Sequence, residues 1–303
     1  MWFVFSVAAA ICFGFRGILY QWTSQRPIDR NLLLLGVYLS GTLITLGSNV
    51  FAGQSWTLGA SVGILMGLFS FIANASMYRG FAVGKASIVA LFTGLPPLVV
   101  VIVAYVLWGE SLTPWQLTAF FIVLIGLILI KYSQDLKLNQ LKGIQWGILT
   151  MFFFAFTDVM TKQATLSGAA TLPALTAMFA TGSILFGASW MITNAKTTNH
   201  VTVNQEIAAT LNDTATLNQA HNWSIKRTLG WGMFVGITNV AGMILLLTAF
   251  REGITGIVST INAMSVVLVI LYARFYLKEV LNKHEVIGLI VAIGGMIVLR
   301  LAS

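Results

Sequence analysis

The chain has 303 residues, 57% hydrophobic and only 9% charged, with a net charge of +8. Soluble domains carry about 25% charged residues, so a soluble globular core is excluded. The basic residues are scattered singly between apolar runs and form no stripe. That pattern argues against nucleic acid as a partner and for basic loops facing an anionic leaflet. Cys12 is the only cysteine, which excludes an internal disulfide and a cysteine-rich metal site.

Apolar runs close to 20 residues recur along the chain, and each as a helix would span about 30 Å. The first starts at Trp2 without a basic segment before it, so it reads as a membrane helix rather than a cleaved signal. Ten segments are predicted. The first five cover about 2–21, 32–50, 58–78, 88–107 and 114–130, and the second five about 144–165, 172–194, 228–250, 257–277 and 286–301. The polar stretch KYSQDLKLNQLKG separates the two sets and places the unit boundary at 141/142. A polar Thr/Asn-rich stretch at 195–227 reads as a mobile loop.

Residues 81–130 recur without a gap as 250–299, an offset of 169 positions. Phe81 falls on Phe250, Gly84 on Gly253, Glu110 on Glu279, Leu112 on Leu281 and Gly126 on Gly295. Five helices is an odd number, so consecutive five-helix units must lie in the membrane with opposite orientation. The fold class expected is an all-α polytopic membrane protein of ten transmembrane helices built as two inverted five-helix repeats, 1–141 and 142–303. Thirteen Lys and Arg fall in the odd-numbered connections, from Arg26 and Arg30 to Lys278 and Lys283. Only Lys162, Arg251 and Arg300 fall in the even connections or at the other ends. The positive-inside rule then sets the odd connections in the cytoplasm and both termini outside.

The two copies read FAVGKASIVALFTGLPPLVVVIVAYVLWGESLTPWQL and FREGITGIVSTINAMSVVLVILYARFYLKEVLNKHEV. An apolar helix with a central proline, then Gly-Glu and a Leu two residues on, resembles the EamA domain of the drug/metabolite transporter superfamily. The second copy departs from it, with Ser265-Val266 in place of Pro96-Pro97 and Lys278 in place of Gly109. The resemblance covers nearly the whole chain. It implies movement of small organic solutes such as amino acids, sugars or amphipathic drugs, often outward. It also implies a multi-pass protein of the plasma or inner membrane.

Candidate site residues are the polar groups that lipid would not tolerate. Pro96 and Pro97 lack the N–H groups that would bond the Phe92 and Thr93 carbonyls, so a kink or gate with freed carbonyls is expected there. Thr93 falls on Asn262 at the repeat offset, and Ser259, Asn262 and Ser265 share one helical face. Ser70, Asn74 and Tyr78 recur every four residues on the third helix. These groups line a solute route or tie helices together. Arg16 and Asp158 each cost about 2.5–3.5 kcal/mol at a helix centre on insertion scales. Matching the first helix to the sixth at an offset of 142 sets Gln21 on Gln163 and Arg16 on Asp158. Opposite charges at corresponding depths would face a central cavity, either paired or as separate anchors for a zwitterionic or polar solute. Lys162, close to a helix end, is expected to snorkel. Glu110 and Glu279 stand just before new helices and are expected to cap them, with a gating role as the other reading.

No HExxH, Walker A or GxSG pattern is present, and His200, His221 and His284 form no evident metal cluster. An enzyme, a cofactor and a metal are therefore not expected. The expected function is a secondary transporter working by alternating access, with export as the default and a monomer or weak homodimer as the state. The alternatives are an uptake permease for a sugar or amino acid, and a membrane receptor that transports nothing.

Overall fold

The computed structural model describes residues 1–24, 26–83, 86–131, 143–211, 223–276, 278 and 283–302. Most of the linker between the halves, residues 212–222 and Glu279 lie outside the described residues. Among the described residues 88% are helical and none is in a strand. Backbone groups in lipid must be satisfied within their own segment, and a helix does this for an apolar run. The elements are α1 (Trp2–Ser24), α2 (Arg30–Ala52), α3 (Val62–Val83), α4 (Ala86–Thr93), α5 (Pro96–Trp108) and α6 (Pro114–Lys131) in the first half. The second half contains α7 (Ile144–Leu166), α8 (Thr171–Leu211), α9 (Ile225–Glu252), α10 (Thr255–Ala263), α11 (Ser265–Phe275) and α12 (Lys283–Leu301). Among the described residues, eight spans are long and apolar enough to cross a membrane, and Pro96–Trp108 and Pro114–Ile130 are shorter apolar helices.

Two segments expected to be continuous are broken, and at the same repeat position. In the first half Leu95 N–H donates to the Phe92 carbonyl at 3.2 Å, and Leu98 N–H to the Leu95 carbonyl at 3.1 Å. In the second half Met264 N–H donates to the Ile261 carbonyl at 3.0 Å, and Val267 N–H to the Met264 carbonyl at 2.9 Å. Every one of these residues maps on its counterpart at the offset of 169. Both helices thus tighten into three-residue turns at one place. The Phe92 carbonyl, expected to be freed by Pro96, is instead taken by Leu95.

A second correction concerns the polar loop. The helix α8 runs on to Leu211, so the first half of the stretch 195–227 is helical backbone. Between Ala195 and Leu211 there is neither Gly nor Pro, and nothing in the backbone stops the helix once it leaves the apolar span.

The halves exchange contacts reciprocally. Helix α3 packs on α7 and α8, as α9 packs on α1 and α2; α5 packs on α7, as α11 packs on α1; and α6 lies against α12. At this last pair a Cβ on Gly126 would stand 2.5 Å from the Ala292 nitrogen, and one on Gly295 would stand 2.8 Å from the Val123 nitrogen. Gly126 maps on Gly295 and Val123 on Ala292. The contact is therefore the same contact made twice with the halves exchanged, and glycine alone permits the backbones to approach so closely.

Candidate functional site

A cavity of about 240 Å³ lies at the seam between the halves. Its wall includes Arg16, Tyr20, Asn74, Thr93, Pro96 and Pro97 from the first half, and Phe154, Asp158, Ser259, Asn262 and Ser265 from the second. A smaller adjoining pocket shares Arg16, Asp158 and Asn262 and adds Ser70 and Asn239. Both helix breaks border the cavity, so the broken backbone lies where polar groups are tolerated.

Arg16 and Asp158 meet the same cavity but form no salt bridge with each other. The Arg16 guanidinium donates to Asn239 Oδ1 at 2.5 Å and lies over the Phe13 ring, 4.6 Å from its centroid. Asp158 Oδ2 accepts from Ser259 Oγ at 2.5 Å. Each charge is thus held by a neutral partner from a different helix, and neither cancels the other. Asn262 Oδ1 is buried among these groups without a hydrogen-bond partner. The wall therefore offers a cation, an anion and an unsatisfied acceptor.

The third-helix residues divide. Ser70 and Asn74 are buried and tied to α2, with Ser70 Oγ bonded to the Tyr38 hydroxyl and Asn74 Nδ2 donating to that hydroxyl at 3.5 Å, as well as to the Ser70 carbonyl of its own helix at 2.8 Å. They serve packing first and reach the cavity with what remains. Tyr78 is not brought to the cavity wall; the Arg30 guanidinium lies over its ring at 5.5 Å.

Lys162 corrects the snorkelling expectation. It is buried, with 7% of its surface exposed. Its ammonium donates to the Phe250 carbonyl at 2.9 Å and the Gly253 carbonyl at 3.0 Å, and pairs with Glu110 Oε1 at 3.3 Å. Three donors meet three acceptors. Snorkelling is unnecessary because the C-terminal end of α9 presents carbonyls where the side chain ends.

Glu110 is a cap, though not of the next helix. Its carboxylate accepts from the Thr255 N–H at 2.7 Å and from Thr255 Oγ1 at 3.0 Å, at the first residue of α10 in the other half. The next helix, α6, is closed by its own residues. Thr113 N–H donates to Gln116 Oε1 at 3.0 Å and Gln116 N–H to Thr113 Oγ1 at 3.3 Å, a reciprocal capping box. Glu279 lies outside the described residues.

Asn239 and Tyr20 were not foreseen. Asn239 had a signal, being a lone amide in the apolar run of α9, where an uncompensated polar group is costly.

The fold and this cavity define a helical membrane protein of two packed repeats with a polar chamber between them. A profile of the EamA-like transporter family matches residues 1–132 and 141–301. The chain belongs to that family, which is one of transporters rather than enzymes. A solved crystal structure is similar over 99% of this chain and 96% of its own, with TM-score 0.73 and 14% identity. At that identity the likeness shows the fold alone. A search of curated proteins found no significant match.

Proposed function

We propose that this chain is a secondary transporter that exports a small polar organic solute carrying both charges, by alternating access in the cell membrane. The observation that carries the reading is the cavity at the seam, with Arg16 from one half and Asp158 from the other, each held by a neutral partner. A solute with a carboxylate and an ammonium would meet the guanidinium at one side and the Asp158 carboxylate with the Asn262 acceptor at the other.

Counting the two shorter apolar helices as spans gives ten, five in each half, so the halves are inverted. The doubled contact between α6 and α12 supports this. The cavity wall runs along the last turns of α1, at Arg16, Gly17 and Tyr20, and close to the end of α3, at Met77. That end of the bundle carries the basic connections, which supports loading from the cytoplasm.

A thermal-shift screen of amino acids, sugars, nucleotides and cationic drugs, followed by counterflow of each hit in proteoliposomes, tests the reading. Zwitterions that stabilise the protein and exchange across the vesicle are the expected result. Counterflow of no solute class would overturn it.

A further inference from the structure

One direct bond and one bridge through Glu110 join α7 to α10, one helical turn apart on both helices. The rung at the cavity is Ser259 to Asp158. The other lies four residues away on each helix, where Lys162 and Thr255 meet at Glu110. Four residues advance a helix by about 6 Å, so this second rung closes the seam just beyond the cavity. It gathers three helix ends, of α5, α9 and α10. Glu110 follows α5 and sits at the positive end of α10, while Lys162 sits at the negative end of α9. Trp108 Nε1 adds a bond to Gln163 Oε1 at 3.3 Å beside it. The rung thus crosses between the halves and lies apart from the cavity wall.

The opposite end has different residues available. In the register that sets Gln21 on Gln163, Lys162 falls on Tyr20; in the register that sets Phe81 on Phe250, Thr255 falls on Ala86. Tyr20 carries no cationic group and Ala86 no hydroxyl, so the same arrangement cannot be built there from these positions.

We infer that Glu110, Lys162 and Thr255 form a gate that closes one end of the cavity, and that transport requires this rung to break. This rests on the alternating-access reading. Asp158 and Lys162 lie on one face of α7 one turn apart, as Ser259 and Thr255 do on α10. A solute that takes the Asp158 carboxylate from Ser259 removes the neighbouring rung and loosens the same helix pair. The gate therefore answers to occupancy of the cavity through two adjacent rungs. Its polarity is fixed by the helix ends. A carboxylate suits the N–H groups of α10, and an ammonium suits the carbonyls of α9.

Spin labels at Trp115 on α6 and Leu166 on α7, which are 74% and 54% exposed, report the separation at this end in a Cys12→Ser background. Double electron–electron resonance on the purified protein should give one short distance in the parent. Lys162→Met should add a longer population, raising the open fraction by about tenfold or more. Glu110→Gln, which keeps an acceptor for Thr255 and is the milder change, should do so to a smaller degree. The exchanged pair Glu110→Lys with Lys162→Glu should remain open, because each charge would then face a helix end of its own sign. Unchanged distances in both single variants, each monodisperse on gel filtration, would overturn the gate. A closed exchanged pair would overturn its dependence on the helix ends. Absence of solute counterflow by the parent protein would instead sink the transport reading, whatever the distances.

Discussion

The two ends of the bundle are held by different chemistry. Helix α1 connects them: Trp2 lies 3.1 Å from where a Cβ on Gly253 would stand, beside the buried Lys162 network, and Trp22 lies 20 residues on, about 30 Å away. At the Trp2 end an ion pair between buried Lys162 and half-buried Glu110 joins two helix termini. Among the described residues, the contacts at the Trp22 end are exposed arginines on half-buried rings and rings on each other: Arg26 over Trp22 at 3.7 Å, Arg227 over Trp223 at 4.0 Å, Trp22 against Trp231 at 4.7 Å, and one bond from Trp223 N–H to the Pro27 carbonyl at 3.1 Å. Losing one partner of a buried pair costs about 3–5 kcal/mol, whereas an exposed cation–π contact contributes about 0.5–1 kcal/mol. Among the described residues, one closure is specific in sign, and the other is divided among weak contacts.

The largest expected effect is at the strong end. Lys162→Met should lower stability by about 3 kcal/mol, read by thermal unfolding in detergent, because half-buried Glu110 loses its cation and two α9 carbonyls lose their donor. A loss under 1 kcal/mol would make the two ends equivalent. Next comes the shared seam. Gly126→Leu should cost about 1–3 kcal/mol or displace α12, since its Cβ already meets the Ala292 backbone. Gly295→Leu should match it, and unequal losses would mean that the halves do not share the contact evenly. Gln116→Ala should remove the capping box of α6 at a cost of about 1 kcal/mol. Arg26→Ala at the weak end should fall at or below that value, measured in the same assay.

Much of the architecture was legible because hydropathy and repeat register are local properties. The all-helical membrane class followed from them, as did Arg16, Asn74, Thr93, Asp158, Asn262 and Ser265, which border the cavity, whereas Tyr78 does not. What escaped depends on distance in the chain. Glu110 reads as a cap for the helix beginning at Pro114, yet its partner Thr255 lies in the other half. The TPWQ pattern from Thr113 to Gln116 already supplied a cap for α6 and left Glu110 free for another helix. Lys162 reads as a snorkelling residue until the end of α9 is folded against it. The break at Met264 has no proline or adjacent glycine to announce it. Its occurrence opposite the Pro96 break indicates that the fold, more than proline, sets the place of the turn. Pro96→Ala should accordingly retain the break, visible as an unchanged bond from Leu95 N–H to the Phe92 carbonyl in a structure of the variant.

The proposal that opposite charges from the two halves act on one solute has a direct test. Counterflow by the parent protein, Arg16→Gln and Asp158→Asn would be measured with free amino acids and with their N-acetyl and amide derivatives. Free zwitterions should be preferred by the parent. Asp158→Asn should lose at least about tenfold in discrimination against the N-acetyl compounds, about 1.4 kcal/mol, and Arg16→Gln a similar factor against the amides. Equal transport of zwitterions and blocked derivatives by all three proteins would contradict it.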